Sequence, residues 1–165
     1  MHEPGEISEW LVVIGLAVSV LVSSPVVGGG VEIEGVTFAD TFHAGPLPMP
    51  LQGVGVAKFL RTIKVYVGAL YLAPGTKPER VLDDVPKRLE LSYFRAIQAG
   101  DFGRAAMKVL ADNVSPATIT RLKPRIEQLH RLYQDVKPGD RYGLTYLPGV
   151  GTELALNGER KGIVE

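Results

Sequence analysis

Residues 53–72, GVGVAKFLRTIKVYVGALYL, constrain the fold more than any other stretch of the chain. Valine, isoleucine and aromatic side chains dominate, so the stretch reads as one long strand opened by Gly53 and Gly55. It carries three cations, Lys58, Arg61 and Lys64. Strand alternation puts Lys58, Thr62, Lys64 and Tyr66 on one face, with Gly68 leaving room beside them. Phe59, Arg61, Ile63, Val65, Val67, Ala69 and Tyr71 take the other face, which beyond Arg61 is apolar and reads as packing. A cation and a phenol can hold an anionic oxygen together, since both donate hydrogen bonds to it. The plainer reading is the solvated face of a one-sided antiparallel sheet. Arg61 reads as a structural or surface cation. On a straight strand Lys58 and Tyr66 stand roughly 26 Å apart. Lys64, roughly 6–7 Å from Tyr66, is then the geometric rival to Lys58.

The flanking sequence supplies the rest of a sheet. Residues 31–38 (VEIEGVTF) alternate as a strand broken at Gly35, and residues 44–50, with three prolines, read as loop. Residues 73–85 read as a turn and a short helical stretch. Residues 87–94 (KRLELSYF) alternate cleanly, with Leu89, Leu91 and Tyr93 on one face and Arg88, Glu90 and Ser92 on the other. Two or three helices follow. Asp101 is the expected N-cap of the first, and Phe102, Ala106, Val109 and Leu110 form its apolar stripe. Ser115-Pro116 starts the next, and Pro124 predicts a kink or two abutting helices. Strands return at 142–147, 152–157 and 161–165, with Asn157-Gly158 as a hairpin turn. Strands, then helices, then strands predict an α+β fold with helices on one face of an antiparallel sheet.

Composition bounds the chemistry. The chain of 165 residues is long enough for one domain with a real core. Lys plus Arg equals Asp plus Glu at 18 each, which argues against nucleic acid as a partner. The absence of cysteine excludes disulfides, thiolate metal sites and cysteine nucleophiles. His2, His43 and His130 are scattered without ligand spacing, so no metal and no cofactor is expected. Residues 11–22 (LVVIGLAVSVLV) are apolar and precede Pro25 and the glycines 28–30. Their length suits a signal-peptide core or an anchor, although the leading MHEPGEISEW lacks the usual basic residues. Residues 1–30 are therefore expected to form an export signal or membrane attachment, placing the domain, residues 31–165, in a periplasmic, secreted or membrane-anchored setting.

The stretch at 53–72 resembles the GxG-to-KVYxxALYL segment of the chalcone isomerase-like family, particularly its bacterial members. VEIEGVTF, DVPKRLELSYF, DFGRA, RIEQLHRLYQDVKPGDRY and LTYLPGVGTELALNGERKGIVE agree in order, so the resemblance spans residues 31–165. It implies an open-faced β-sandwich, an antiparallel sheet covered by helices, with a ligand cleft between them. It also implies a further C-terminal helix, which the sequence ending at Glu165 does not include.

The resemblance carries two kinds of function. In the ring-closing isomerases an arginine and a threonine of the long strand, with a tyrosine and an asparagine from the helices, act on an enone. Here the resemblance assigns those positions to Lys58, Tyr66, Phe102 and Val109, and most of the set is missing. The family's non-catalytic members bind fatty acids, holding the carboxylate with an arginine and a tyrosine of the same strand. Lys58 and Tyr66 come closer to that pair. The leading expectation is a non-catalytic protein binding a fatty acid or similar amphipathic anion, with Lys58, Tyr66 and Lys64 as candidate ligand contacts and no catalytic residue. One alternative is an isomerase or intramolecular lyase, with Tyr66 as acid–base group and Lys58 as oxyanion stabiliser. The other is a ligand-free interaction module.

Overall fold

The computed structural model describes residues 29–59 and 62–165; the expected export or anchor segment lies almost wholly outside them. A small hairpin comes first, β1 (Val31–Ile33) with β2 (Val36–Phe38). Seven strands then form one antiparallel meander: β3 (Thr41–Ala44), β4 (Leu47–Phe59), β5 (Ile63–Leu72), β6 (Lys87–Tyr93), β7 (Arg141–Leu147), β8 (Gly151–Leu156) and β9 (Glu159–Val164). Two helices, α1 (Ala99–Asn113) and α2 (Pro116–Leu132), connect β6 to β7. The α+β class is the expected one, and the sheet curls into a half-barrel.

Four local expectations are corrected. The stretch at 53–72 is two strands, since β4 ends at Phe59 and β5 begins at Ile63, pairing back antiparallel. Residues 44–50 are mostly strand despite their prolines. The Leu51 N–H donates to the Asp40 carbonyl, so odd positions of β4 donate toward β3. Pro48 and Pro50, of opposite parity, turn their missing N–H to the other edge, where pairing with β5 begins only at Leu51. Asp101 is not the cap of α1: Gln98 holds the N-cap position, and the Ala99 N–H donates to Asp135 Oδ1 at 2.8 Å. Pro124 lies inside one continuous helix and not between two abutting ones. Ser115 caps that helix as expected, its hydroxyl accepting from the Thr118 N–H.

Both faces of the sheet are packed. Leu89, Leu91, Tyr93, Tyr142, Leu144, Leu154 and Val164 meet Leu129 and Tyr133 on the helix side. Val67, Ala69 and Tyr71 on the opposite side pack with Val31, Phe38 and Met49 under the β1–β2 hairpin. The face read as polar from Arg88, Glu90 and Ser92 is therefore covered, and Arg88 and Ser92 are buried. Arg88 Nη1 donates to Thr145 Oγ1 at 2.7 Å, and Glu90 is held between Arg88 at 3.2 Å and Arg141 at 3.0 Å. The Arg88 guanidinium lies 3.9 Å from the Phe42 ring centre. Gly143 makes this possible, because a Cβ there would stand 2.2 Å from Arg88 Nη2.

Candidate functional site

A cavity of about 370 Å³ opens between the β4–β5 hairpin, β6 and α1. Its walls are mainly apolar: Val65, Leu91, Ile97, Phe102, Ala106 and Val109. Lys58 and Tyr66 both line it.

The hairpin brings these two together. Ala57 stands opposite Tyr66, and Lys58 opposite Lys64. Lys58 and Tyr66 are thus diagonal neighbours, roughly 7–8 Å apart at the backbone, rather than distant points on one strand. The same register leaves Val65 as an extra residue, a β-bulge. The bulge presents both Val65 and Tyr66 to the cleft and reverses the alternation beyond it. Lys64 is not on the cleft wall and forms an ion pair with Glu34 of the β1–β2 turn, whereas Lys58, directly opposite it near the hairpin's end, lines the rim. Arg61 lies outside the described residues, and with it the expectation about its face.

Lys58 is exposed at the cleft's rim beside Phe59. No hydrogen bond or ion pair to a described residue engages it. Asp101, also on the wall, is ion-paired with Arg104 one turn along α1. Tyr66 is half-buried, and its ring meets Tyr93 edge-on at 5.7 Å. Burial raises its phenol above the ordinary tyrosine range. Gly68 does not leave room for a ligand: a Cβ there would lie 3.1 Å from Leu91 Cδ2, so the space is filled by Leu91.

Two wall residues escaped the sequence reading, Tyr93 and Tyr133. Tyr93 shares its strand face with Leu89 and Leu91, and Tyr133 directly follows α2, so neither stands out in the sequence as a ligand contact. They do pack: Phe102 stacks on Tyr133 at 4.8 Å and meets Tyr93 edge-on at 5.7 Å. Both residues are nevertheless on the cleft wall, and burial pushes both phenols upward, with neighbouring tyrosines adding to the effect.

Among the described residues no three metal-ligating side chains cluster. A larger cavity, about 440 Å³, lies by the β7–β8 turn, between Arg125, Tyr146 and Val164. Its phenol is already engaged, Tyr146 Oη donating to Asp84 at 2.5 Å.

The family pattern described as chalcone isomerase-like matches residues 30–165. The chain belongs to the chalcone isomerase-like family. No curated protein matches the sequence. Among solved structures the chain is similar to an Arabidopsis thaliana fatty-acid binding protein, with a TM-score of 0.65, 14% identity and 82% of each chain covered. At that identity the likeness shows the fold. Against the family's isomerases, the cleft of this member carries Phe102 and Val109 on α1 where the resemblance expects a tyrosine and an asparagine.

Proposed function

We infer that this chalcone isomerase-like protein binds a fatty acid or similar amphipathic anion in the cleft between β4–β5, β6 and α1. The carrying observation is an apolar cleft whose described wall carries the unengaged cation Lys58 at its rim and also Tyr66. Apolar walls with a few placed polar groups are the general form of a small-molecule site. The fatty-acid binding of the Arabidopsis protein of the same fold supports this ligand class. The three tyrosines of the wall are raised and stay protonated at neutral pH, so they donate hydrogen bonds and do not abstract protons. That favours binding over the isomerase reading.

Titration with dodecanoate tests the reading. Lys58→Met and Tyr66→Phe are each expected to weaken binding by about 1–3 kcal/mol, the worth of a charge-assisted bond. Lys64→Met is expected to leave it unchanged, since Lys64 faces Glu34. Ala105→Trp, on the cleft's α1 wall, is expected to abolish binding by filling the space. Unchanged affinity in Lys58→Met and Ala105→Trp together would remove the cleft as the site. The apolar run at residues 11–22 supports an exported or membrane-attached setting. Recovery of the whole chain in a soluble cytoplasmic fraction would exclude that setting.

A further inference from the structure

The inner wall of the cleft holds two phenols that a plain hydrocarbon chain would not use. Tyr93 is 3% exposed and Tyr133 8% exposed, so both are more than nine-tenths buried. Neither hydroxyl has a hydrogen-bond partner among the described residues. Neither is sealed away: among the described residues the one fully enclosed side-chain polar atom without a partner is Arg88 Nε, so each phenol oxygen keeps some accessible surface. Both residues line the cleft. Tyr142, in the same aromatic cluster, shows the contrast. Its hydroxyl donates to the Gln134 carbonyl at 2.9 Å and accepts from the Gln134 N–H at 2.7 Å.

We propose that Tyr93 and Tyr133 form a second polar subsite, which receives a neutral oxygen acceptor carried within the ligand's apolar body. The inference rests on the cleft reading above and narrows it. The ligand class becomes an amphipathic anion bearing an in-chain carbonyl or hydroxyl, such as an oxo or hydroxy fatty acid. Two arguments set the chemistry. A phenol can donate to an acceptor, and water in an open cleft can serve until a ligand displaces it. A saturated chain would then bury both donors without partners, whereas an in-chain oxygen replaces the water. The acceptor is neutral because a buried anion at this end would have no cation beside it. Lys58, at the rim, is the only Lys or Arg on the described cleft wall.

The test compares dodecanoate with an oxo-dodecanoate series in which the ketone is moved along the chain, by calorimetric titration of the whole protein. At the best ketone position, wild type is expected to bind the oxo acid about tenfold more tightly than dodecanoate. The preference should disappear in Tyr93→Phe with Tyr133→Phe, while Lys58→Met weakens both ligands by the same factor. Because each substitution removes a hydroxyl with no protein partner, the unliganded Tyr→Phe variants should melt at or above the wild-type temperature. A melt well below wild type in both single variants would show that the hydroxyls are engaged in the fold, and would overturn the proposal. So would a preference for dodecanoate at every ketone position, or an oxo preference surviving in the double variant. In those three cases the cleft itself survives. Absence of binding by any ligand overturns the cleft reading and the subsite with it.

Discussion

Lys87 has no exposed surface, yet it carries an amine. Its Nζ donates to the Val81 and Asp83 carbonyls, both at 2.6 Å, and so ties the short 3₁₀ turn Pro78–Arg80 and the loop after it to β6. Burial lowers its pKa to about 8, against the opposing pull of Asp84 and Asp83. An unfolded lysine titrates near roughly 10.4. Between these values the unfolded chain binds the extra proton, so stability rises with pH. The free energy of unfolding is expected to increase by about 1 kcal/mol from pH 7 to pH 9. Above roughly pH 10 the raised buried tyrosines act in the opposite sense, because the unfolded chain loses their protons first. Urea unfolding at several pH values checks this, with Lys87→Met expected to flatten the rise between pH 7 and 9. An equal rise in that variant would assign the effect elsewhere.

At the scale of the element, the helix caps and strand ends depend on partners far along the chain. Asp101 has the right residue type and place for a cap, but the start of α1 is held by Asp135, which follows α2. An isolated bridge between Ile97 and Val136 pins the two loops at the same point. Asp135→Ala is expected to cost about 1 kcal/mol, the usual loss of a capping carboxylate. Asp101→Ala removes one exposed ion pair with Arg104 and is expected to cost at most about 0.5 kcal/mol. Paired thermal melts decide between them; a larger loss at Asp101 would restore it as the cap. Asn157-Gly158 behaves oppositely. Both residues take positive φ, 52° and 83°, as their types favour, and the two-residue turn they form starts the β8–β9 pairing with Leu156 opposite Glu159.

For the whole molecule, the curled sheet with helices on one side sets the cleft's position, and the side chains lining it set its use. Phe102 and Val109 leave α1 without the hydroxyl and amide that ring closure is expected to need, and the raised tyrosines offer no base. A 2′-hydroxychalcone mixed with the protein is therefore expected to close at the solvent rate and to give racemic flavanone. Chiral chromatography of the product checks it, and an enantiomeric excess would return the protein to the isomerases of its family.

Much of this was legible one residue at a time. The alternation of residues 87–93, the Ser115-Pro116 helix start and the Asn157-Gly158 turn are each written in the types of neighbouring residues, so the sequence by itself determines them. The order of strands and helices likewise determined the α+β class. Three things needed the tertiary structure. Residues 53–72 look like one strand because each half is a strand, and only pairing with its neighbour shows that the chain doubles back. The Val65 bulge then separates Lys64 from Tyr66, although simple alternation puts them on one face. Finally, Arg88 and Glu90 alternate as an exposed polar edge would, yet they lie under a hairpin formed some 50 residues earlier. Local sequence fixes which way a side chain points from its own strand; what it meets there depends on contacts between distant parts of the chain.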